Sequence, residues 1–211
     1  ELARRCGEVL AAIHATPLGG LPPLATSDAA SELARYEAVY RQSGARRPVF
    51  EAAFRWLADR APPLEQPVLV HGDFRNGNLM IDPGSKTLGG LVGVLDWELA
   101  HLGDPAEDLG WICVNSWRFG EWRRPVGGFG GYQDLLDGHA AGGGPPVPLD
   151  RLLFWQALGS LKWGVMCLMM YASFASGADR SIERAMIGRR ASETEIDLVL
   201  LMEQAEGRIR A

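Results

Sequence analysis

Every run of strand character in this chain falls inside one short window. PVLVH (67–71), NLMI (78–81) and LVGVLD (91–96) sit there, and helical patterns fill both sides. Three such short runs cannot close a large sheet, so the chain must build its core from helices. DPGSKTLGG (82–90) is rich in turn residues and is expected to close a hairpin between the second and third runs. The predicted class is mostly α (α+β), with a small strand insert.

Before the window, Leu2, Cys6, Val9, Leu10 and Ile13 share one helical face, which should end near Thr16 and Pro17. LGGLPPLATSD (18–28) reads as a loop. Leu33, Tyr36, Val39 and Tyr40 recur at helical spacing, with Gly44 as the stop. Pro48 fits a helix start, and Phe50, Phe54 and Leu57 continue that face until Pro62 and Pro63. After the window, Asp108, Leu109, Trp111 and Ile112 turn helical beyond Pro105. A glycine-rich stretch follows, with GGFGGY (127–132) and GGGPP (142–146). A long helix is expected from Leu149 to about Ser176, then two more patterns around 180–190 and 192–209. Trp155, Trp163, Met166, Met169 and Met170 read as core by their spacing.

Composition narrows the class of partner. Hydrophobic residues make up 47% and charged residues 22%, an ordinary globular balance. The net charge of −5 gives no reason to expect nucleic acid or an anionic membrane. WGVMCLMMYASFA (163–175) is too short to span a bilayer and reads as a core helix. Cys6, Cys113 and Cys167 are far apart and set in apolar stretches, which predicts buried free thiols in a reducing cytoplasm rather than disulfides or a zinc site. The first residue is Glu1 with a helical pattern already running, so the chain reads as part of something longer. Nothing in the pattern sets an oligomeric state.

The first and second strand runs are joined by HGDFRNGN (71–78), far more polar than a turn requires. Asp73 and Asn78 lie in this loop and Asp96 ends the third run, so a hairpin can bring Asp96 towards the other two. A carboxylate and an amide oxygen are hard ligands suited to Mg²⁺. A second carboxylate nearby can accept a proton from a hydroxyl. A metal clamp, an oriented nucleophile and a cation for developing charge are what phosphoryl transfer requires.

His71-x-Asp73-x-x-x-x-Asn78 has the spacing of the protein-kinase catalytic loop. HGDFRNGN, then LDWE (95–98), then GDPAEDLGW (103–111) together resemble the aminoglycoside phosphotransferase-like family, which includes relatives of choline kinase. The DWELAHLGDPAEDLGW form is similar to the subgroup found alone in bacteria or fused to acyl-CoA dehydrogenases. The resemblance implies the C-terminal lobe of a protein-kinase-like fold over nearly the whole chain. It implies an ATP- and Mg²⁺-dependent transfer of the γ-phosphoryl group to a hydroxyl of a small molecule. A hydroxyacyl-CoA or another metabolite fits that subgroup better than an aminoglycoside.

Residue by residue, the resemblance makes Asp73 the base, and Asn78 and Asp96 the holders of Mg²⁺ on the nucleotide phosphates. Arg75 would serve the γ-phosphate charge. His71 would fix the loop, Asp108 would anchor it from the next helix, and Glu98 would stand beside the metal. Each has a plainer reading. Asp73 and Asn78 are also turn formers, His71 a buried histidine bonded to backbone, and Arg75 half of an ion pair. Glu98 and Asp108 read as structural, and Asp104 as a helix N-cap.

Arg118, Arg123 and Arg124 read as a solvated face, or as a receiver for an acidic group such as a phosphate or CoA ester. GGFGGY lacks phosphate-loop spacing and reads as a flexible loop near the substrate entrance.

The chain departs from the family in two respects. Neither Lys86 nor Lys162 has the context of a nucleotide-binding strand lysine, and no strands precede residue 67. The N-terminal lobe is therefore expected elsewhere in the same full-length protein. The stretch from Asn78 to Asp96 is also long, because GSKTLGG extends the hairpin. Two other functions compete: a metallohydrolase using His71 and Asp73, and a non-catalytic pseudokinase-like module that binds a small molecule. His14, His101 and His139 show no ligand-like spacing for the first, and intact Asp73, Asn78 and Asp96 argue against the second.

Overall fold

A computed structural model describes residues 1–86 and 90–207. The tip of the predicted hairpin turn, 87–89, and the end of the last helical pattern lie outside the described residues. The described residues form two compact units. The first joins Glu1–Ala29 to Pro63–Gln156, and the second joins Ala30–Pro62 to the chain from Ala157 on.

In the first unit, helix α1 (Leu2–His14) buries Cys6, Leu10 and Ile13 on one face, as the 3.6-residue period requires. Those side chains join Phe74, Leu109, Ile112, Leu135 and Leu152 in the unit's core. Strand β1 (Val68–Val70) enters next, followed by the loop 71–78. β2 (Leu79–Ile81) and β3 (Leu91–Val94) then form the expected antiparallel hairpin, with Leu79 opposite Val94. A fourth strand, β4 (His101–Gly103), pairs antiparallel with β1, with Val68 opposite Gly103. Sequence reading missed β4. It has three residues, too few for a period to show.

Helix α4 (Pro105–Trp111) starts at an N-cap, Asp104, whose Oδ1 accepts the amide of Ala106 at 2.9 Å. The other carboxylate oxygen of Asp104 accepts from Arg151 and from the Trp155 indole.

Helix α5 (Tyr132–Ala141) was also missed, because Gly138 within it and the glycines on either side disguise it as loop. They serve close packing on α1. A Cβ on Gly138 would stand 2.0 Å from the carbonyl oxygen of Arg4, and one on Gly7 would stand 2.1 Å from that of Leu135. The two helices meet backbone to backbone.

The second unit holds α2 (Ala29–Gln42, from its second residue), α3 (Pro48–Ala58), α7 (Ile182–Arg189) and α8 (Ala191–Ala205). Helix α6 (Leu149–Ala175) belongs to the first unit through Gln156 and to the second from Ala157. Tyr40, Phe50 and Phe54 stack in the second core, with Tyr40 and Phe54 ring centres 5.4 Å apart.

α6 is longer than its apolar run suggests and is long and apolar enough to cross a membrane, yet 78% of its most apolar stretch is buried. Trp155 and Trp163 are core as expected, whereas Met169 is 49% exposed and Met166 and Met170 are only half-buried. That corrects the reading of the methionines as core.

All three cysteines are buried free thiols. Burial pushes the thiols of Cys6 and Cys113 up to about 12.

Candidate functional site

The loop between β1 and β2 is held from below before its functional side chains are placed. Gly72 adopts φ 81°, and a Cβ there would lie 2.6 Å from the Leu99 carbonyl oxygen, so only glycine fits. The amides of His71 and Gly72 donate to the two oxygens of Asp108, at 2.8 and 2.9 Å. Asp108 is fully buried on α4. Burial alone would raise its carboxyl. Hydrogen bonds from His14 and from those two amides outweigh burial and hold it below the usual carboxylate range.

His71 is also fully buried. Its Nε2 donates to the carbonyl of Leu95 at 3.0 Å and its Nδ1 accepts the amide of Asp73 at 3.2 Å. Both ring nitrogens are spent on backbone, which fixes a neutral tautomer and leaves neither for a metal or a proton-transfer step. The metallohydrolase reading loses its histidine here. Among the described residues no three His, Cys, Asp or Glu side chains cluster as a metal cage.

Asp73 is the most constrained side chain of the loop. Its Oδ1 accepts the Trp111 indole Nε1 at 2.7 Å, and its Oδ2 accepts Asn78 Nδ2 at 2.8 Å. Arg75 Nε donates to both oxygens at 3.1 Å. The Asp73 side chain keeps 14% exposure. A carboxylate held in this way has one orientation and remains reachable, which suits accepting a proton from a hydroxyl.

Asn78 closes a 3₁₀ turn, its amide donating to the carbonyl of Arg75 at 2.8 Å. Nδ2 of Asn78 donates twice to Asp73, to the backbone oxygen at 2.9 Å as well as the carboxylate. The amide therefore keeps its oxygen for a cation or another donor.

The amide of Leu95 donates to the carbonyl of Asn78 at 2.8 Å, so Asp96 follows directly past that rung of the hairpin. Asp96 is exposed and sits at φ 66°, a conformation non-glycine residues rarely hold without a local reason. An amide oxygen and one carboxylate suit Mg²⁺, which accepts few protein ligands when phosphates complete its shell.

The remaining candidates divide. Arg75 lies over the Trp117 ring, its guanidinium carbon 4.9 Å from the ring centre. Glu98 is exposed on the turn that Ala100 closes to Trp97. Arg118 is not on a solvated face: it donates to the carbonyls of Cys113 and Trp122, tying the loop between them. Arg123 and Arg124 are exposed.

Gly127 of the glycine-rich stretch accepts the Asn76 side-chain amide at 2.8 Å, so this turn packs on the candidate loop. Trp111 and His14 were not foreseen. For Trp111 a signal existed, because Asp108 and Trp111 are three apart and share one face of α4.

Comparison with known proteins gives the geometry a context. The chain is 26% identical to chicken acyl-CoA dehydrogenase family member 11 over 169 residues, 72% of this chain and 21% of that protein. A protein from Ralstonia eutropha JMP134 assigned to the aminoglycoside phosphotransferases matches with a TM-score of 0.74 at 23% identity. That match covers 98% of this chain and 65% of the other. Spectinomycin phosphotransferase APH(9)-Ia, solved with ADP and spectinomycin, gives a TM-score of 0.56 at 16% identity, over 91% of this chain and 60% of the other. The structural matches establish a kinase-like fold, mostly helical with small antiparallel sheets. This chain spans between 6% and 21% of the first two curated relatives. The family model described as phosphotransferase enzyme family matches residues 1–170, and the chain belongs to that family, APH.

Proposed function

We propose that this chain is the C-terminal, catalytic lobe of an ATP- and Mg²⁺-dependent phosphotransferase. It transfers the γ-phosphoryl group to a hydroxyl of a small molecule. The observation that carries this reading is the shared anchoring of Asp73 and Asn78, in which the asparagine spends its amide hydrogens on the aspartate and keeps its oxygen.

Asp73 accepts or orients the proton of the acceptor hydroxyl. Asn78 and Asp96 hold the metal on the nucleotide phosphates, and the strained backbone of Asp96 supports that role. Bound Mg²⁺ supplies the charge that offsets the phosphate oxygens. Arg75 presents a cation beside the base, and Trp117 beneath its guanidinium limits where that cation can go. His71 and Asp108 fix the loop, and Glu98 stands near the metal.

The glycine-rich loop and strand lysine that cover the nucleotide come from an N-terminal lobe of the same full-length protein. The partial coverage of each solved relative supports that arrangement. The acceptor is a hydroxyacyl-CoA or other metabolite rather than an aminoglycoside, and the similarity to acyl-CoA dehydrogenase family members supports this choice.

The test is Asp73→Asn in the full-length protein, by single-turnover phosphoryl transfer from ATP. Loss of a positioned base lowers the chemical step on the order of 10²–10⁴-fold. Near-normal chemistry with an unchanged circular dichroism spectrum would remove Asp73 from the mechanism.

A further inference from the structure

Among the described residues, the two most exposed large apolar side chains of the first unit stand on one short loop. Phe119 is 74% exposed and Trp122 is 64% exposed. Two aromatic rings left in water within four residues mark a surface that meets something. The same stretch, 118–124, is basic. Arg118, Arg123 and Arg124 stand against one acid, Glu121, for a local charge of +2 in a chain of net −5.

This loop is braced from within. Arg118 is its strut, donating to the carbonyl of Cys113 at 2.7 Å and to that of Trp122 at 3.0 Å. The amide of Glu121 donates to the carbonyl of Arg118, and the amide of Arg124 to that of Glu121, both at 3.0 Å. Just outside the stretch, on either side, the chain touches the candidate catalytic loop. Trp117 lies beneath the Arg75 guanidinium, and the Gly127 carbonyl accepts from Asn76.

Arg118 spends its guanidinium on the loop itself, whereas Arg123 and Arg124 do not. The guanidinium carbon of Arg123 lies 4.6 Å from the centre of the Trp122 ring. Both arginines are exposed, and among the described residues neither is held in an ion pair. An arginine laid on an indole presents a flat apolar surface and a positive charge together. A planar ring stacks on the first, and a phosphate takes N–H donors from the second. A cationic aminoglycoside is repelled by this loop, and a plain aliphatic alcohol uses neither feature. A nucleic acid would need a longer basic track than these seven residues on a chain of net −5.

We propose that the 118–124 loop holds the nucleotide end of an acyl-CoA acceptor, with Phe119 and Trp122 against the adenine and Arg123 and Arg124 on the phosphates. The flexible pantetheine arm then carries the acyl hydroxyl to the candidate loop. These four are binding residues, and only the fate of the hydroxyl at Asp73 rests on the phosphotransferase reading above.

The test is calorimetric titration of the full-length protein with free coenzyme A, under saturating Mg·ADP so that the nucleotide site is filled. Coenzyme A should bind, dephospho-coenzyme A more weakly, and pantetheine without measurable heat. Raising the salt concentration should weaken binding of coenzyme A. Combining Arg123→Gln with Arg124→Gln should lower the affinity roughly 10- to 100-fold, and Trp122→Ala about 10-fold. All three side chains are exposed, so the thermal midpoints should stay near wild type. Absence of coenzyme A binding would overturn the proposal, as would variants that bind like wild type or pantetheine that binds as tightly. Phosphatidylserine vesicles bound through Trp122, with no binding of coenzyme A, would make the loop a membrane contact instead. The titration requires no phosphoryl transfer. If Asp73→Asn proves active while coenzyme A binds in this pattern, the phosphotransferase reading fails and the docking loop stands; the opposite pair of results strikes only the docking loop.

Discussion

The indole nitrogen of Trp111 donates to Oδ1 of Asp73 at 2.7 Å, across 38 residues of sequence. One turn earlier on the same helix, Asp108 holds the amides of His71 and Gly72. One face of α4 therefore fixes both the backbone of the loop and the carboxylate at its centre. Trp111→Phe keeps a ring in the buried site and deletes the donor. A hydrogen bond to a charged group contributes about 1.5–3 kcal/mol, so kcat/KM should fall roughly 10- to 100-fold if the bond persists in the transition state. Steady-state kinetics on the full-length protein would measure it. Unchanged kcat/KM would mean that Arg75 and Asn78 alone suffice to orient Asp73.

Arg75 offers Asp73 one nitrogen, Nε, shared between both carboxylate oxygens, while its plane lies over Trp117. The side chains of this ion pair are 29% and 14% exposed, and a pair that still reaches solvent contributes on the order of 1 kcal/mol to stability. Its removal should barely change folding. Arg75→Lys keeps the charge but has neither the planar fork nor the Nε position. We expect Arg75→Ala to lose more activity than Arg75→Lys, with urea midpoints close to wild type for both. A large drop in the urea midpoint would show Arg75 to be a structural strut.

Much of the site was legible because its parts are contiguous. HGDFRNGN carries His71, Asp73, Arg75 and Asn78 within eight residues, and all four meet in the structure. Asp104 as an N-cap and Pro48 as a helix start were also readable, since each acts on its own helix. The long-range partners were not. His14 lies 94 residues from Asp108, and no periodicity distinguishes it from the apolar face on which it sits. β4 was too short to show a period, and α5 was hidden by glycines whose purpose lies on another helix. Met169 misled because helical spacing identifies a face without saying whether a neighbour covers it.

The crossing of α1 and α5 gives a test of packing. A Cβ at residue 138 has no room against the Arg4 carbonyl, and backbone cannot rotate away as a side chain can. Gly138→Ala gains helix propensity of roughly 0.5–1 kcal/mol. It should still lose, because overpacking costs about 1–3 kcal/mol or more. Differential scanning calorimetry should show the midpoint of the transition containing α1 and α5 fall by several degrees. The control is Gly19→Ala, where a Cβ meets nothing within 4 Å. An unshifted Gly138→Ala midpoint would show that the two helices separate at no cost.

His139 also makes stability depend on pH, with a sign that follows from its shift. Its pKa is lowered from 6.5 to about 4, chiefly by burial and next by the charge of His14. Between those values the unfolded chain binds a proton that the folded chain refuses, so stability falls as pH falls from 6.5 towards 4. The difference amounts to about 3 kcal/mol at its fullest. From the other elements packed on the pair, Asp108 is the facing acid. Its carboxyl is also lowered, so its contribution persists through this window and is lost only below the ordinary carboxylate range. Urea denaturation from about pH 7 to about pH 4.5 should therefore show a falling midpoint. His139→Gln has no group to titrate there and should flatten that part of the curve, while its midpoint at neutral pH stays near wild type. Parallel curves for the two proteins would show that other groups set the acid sensitivity.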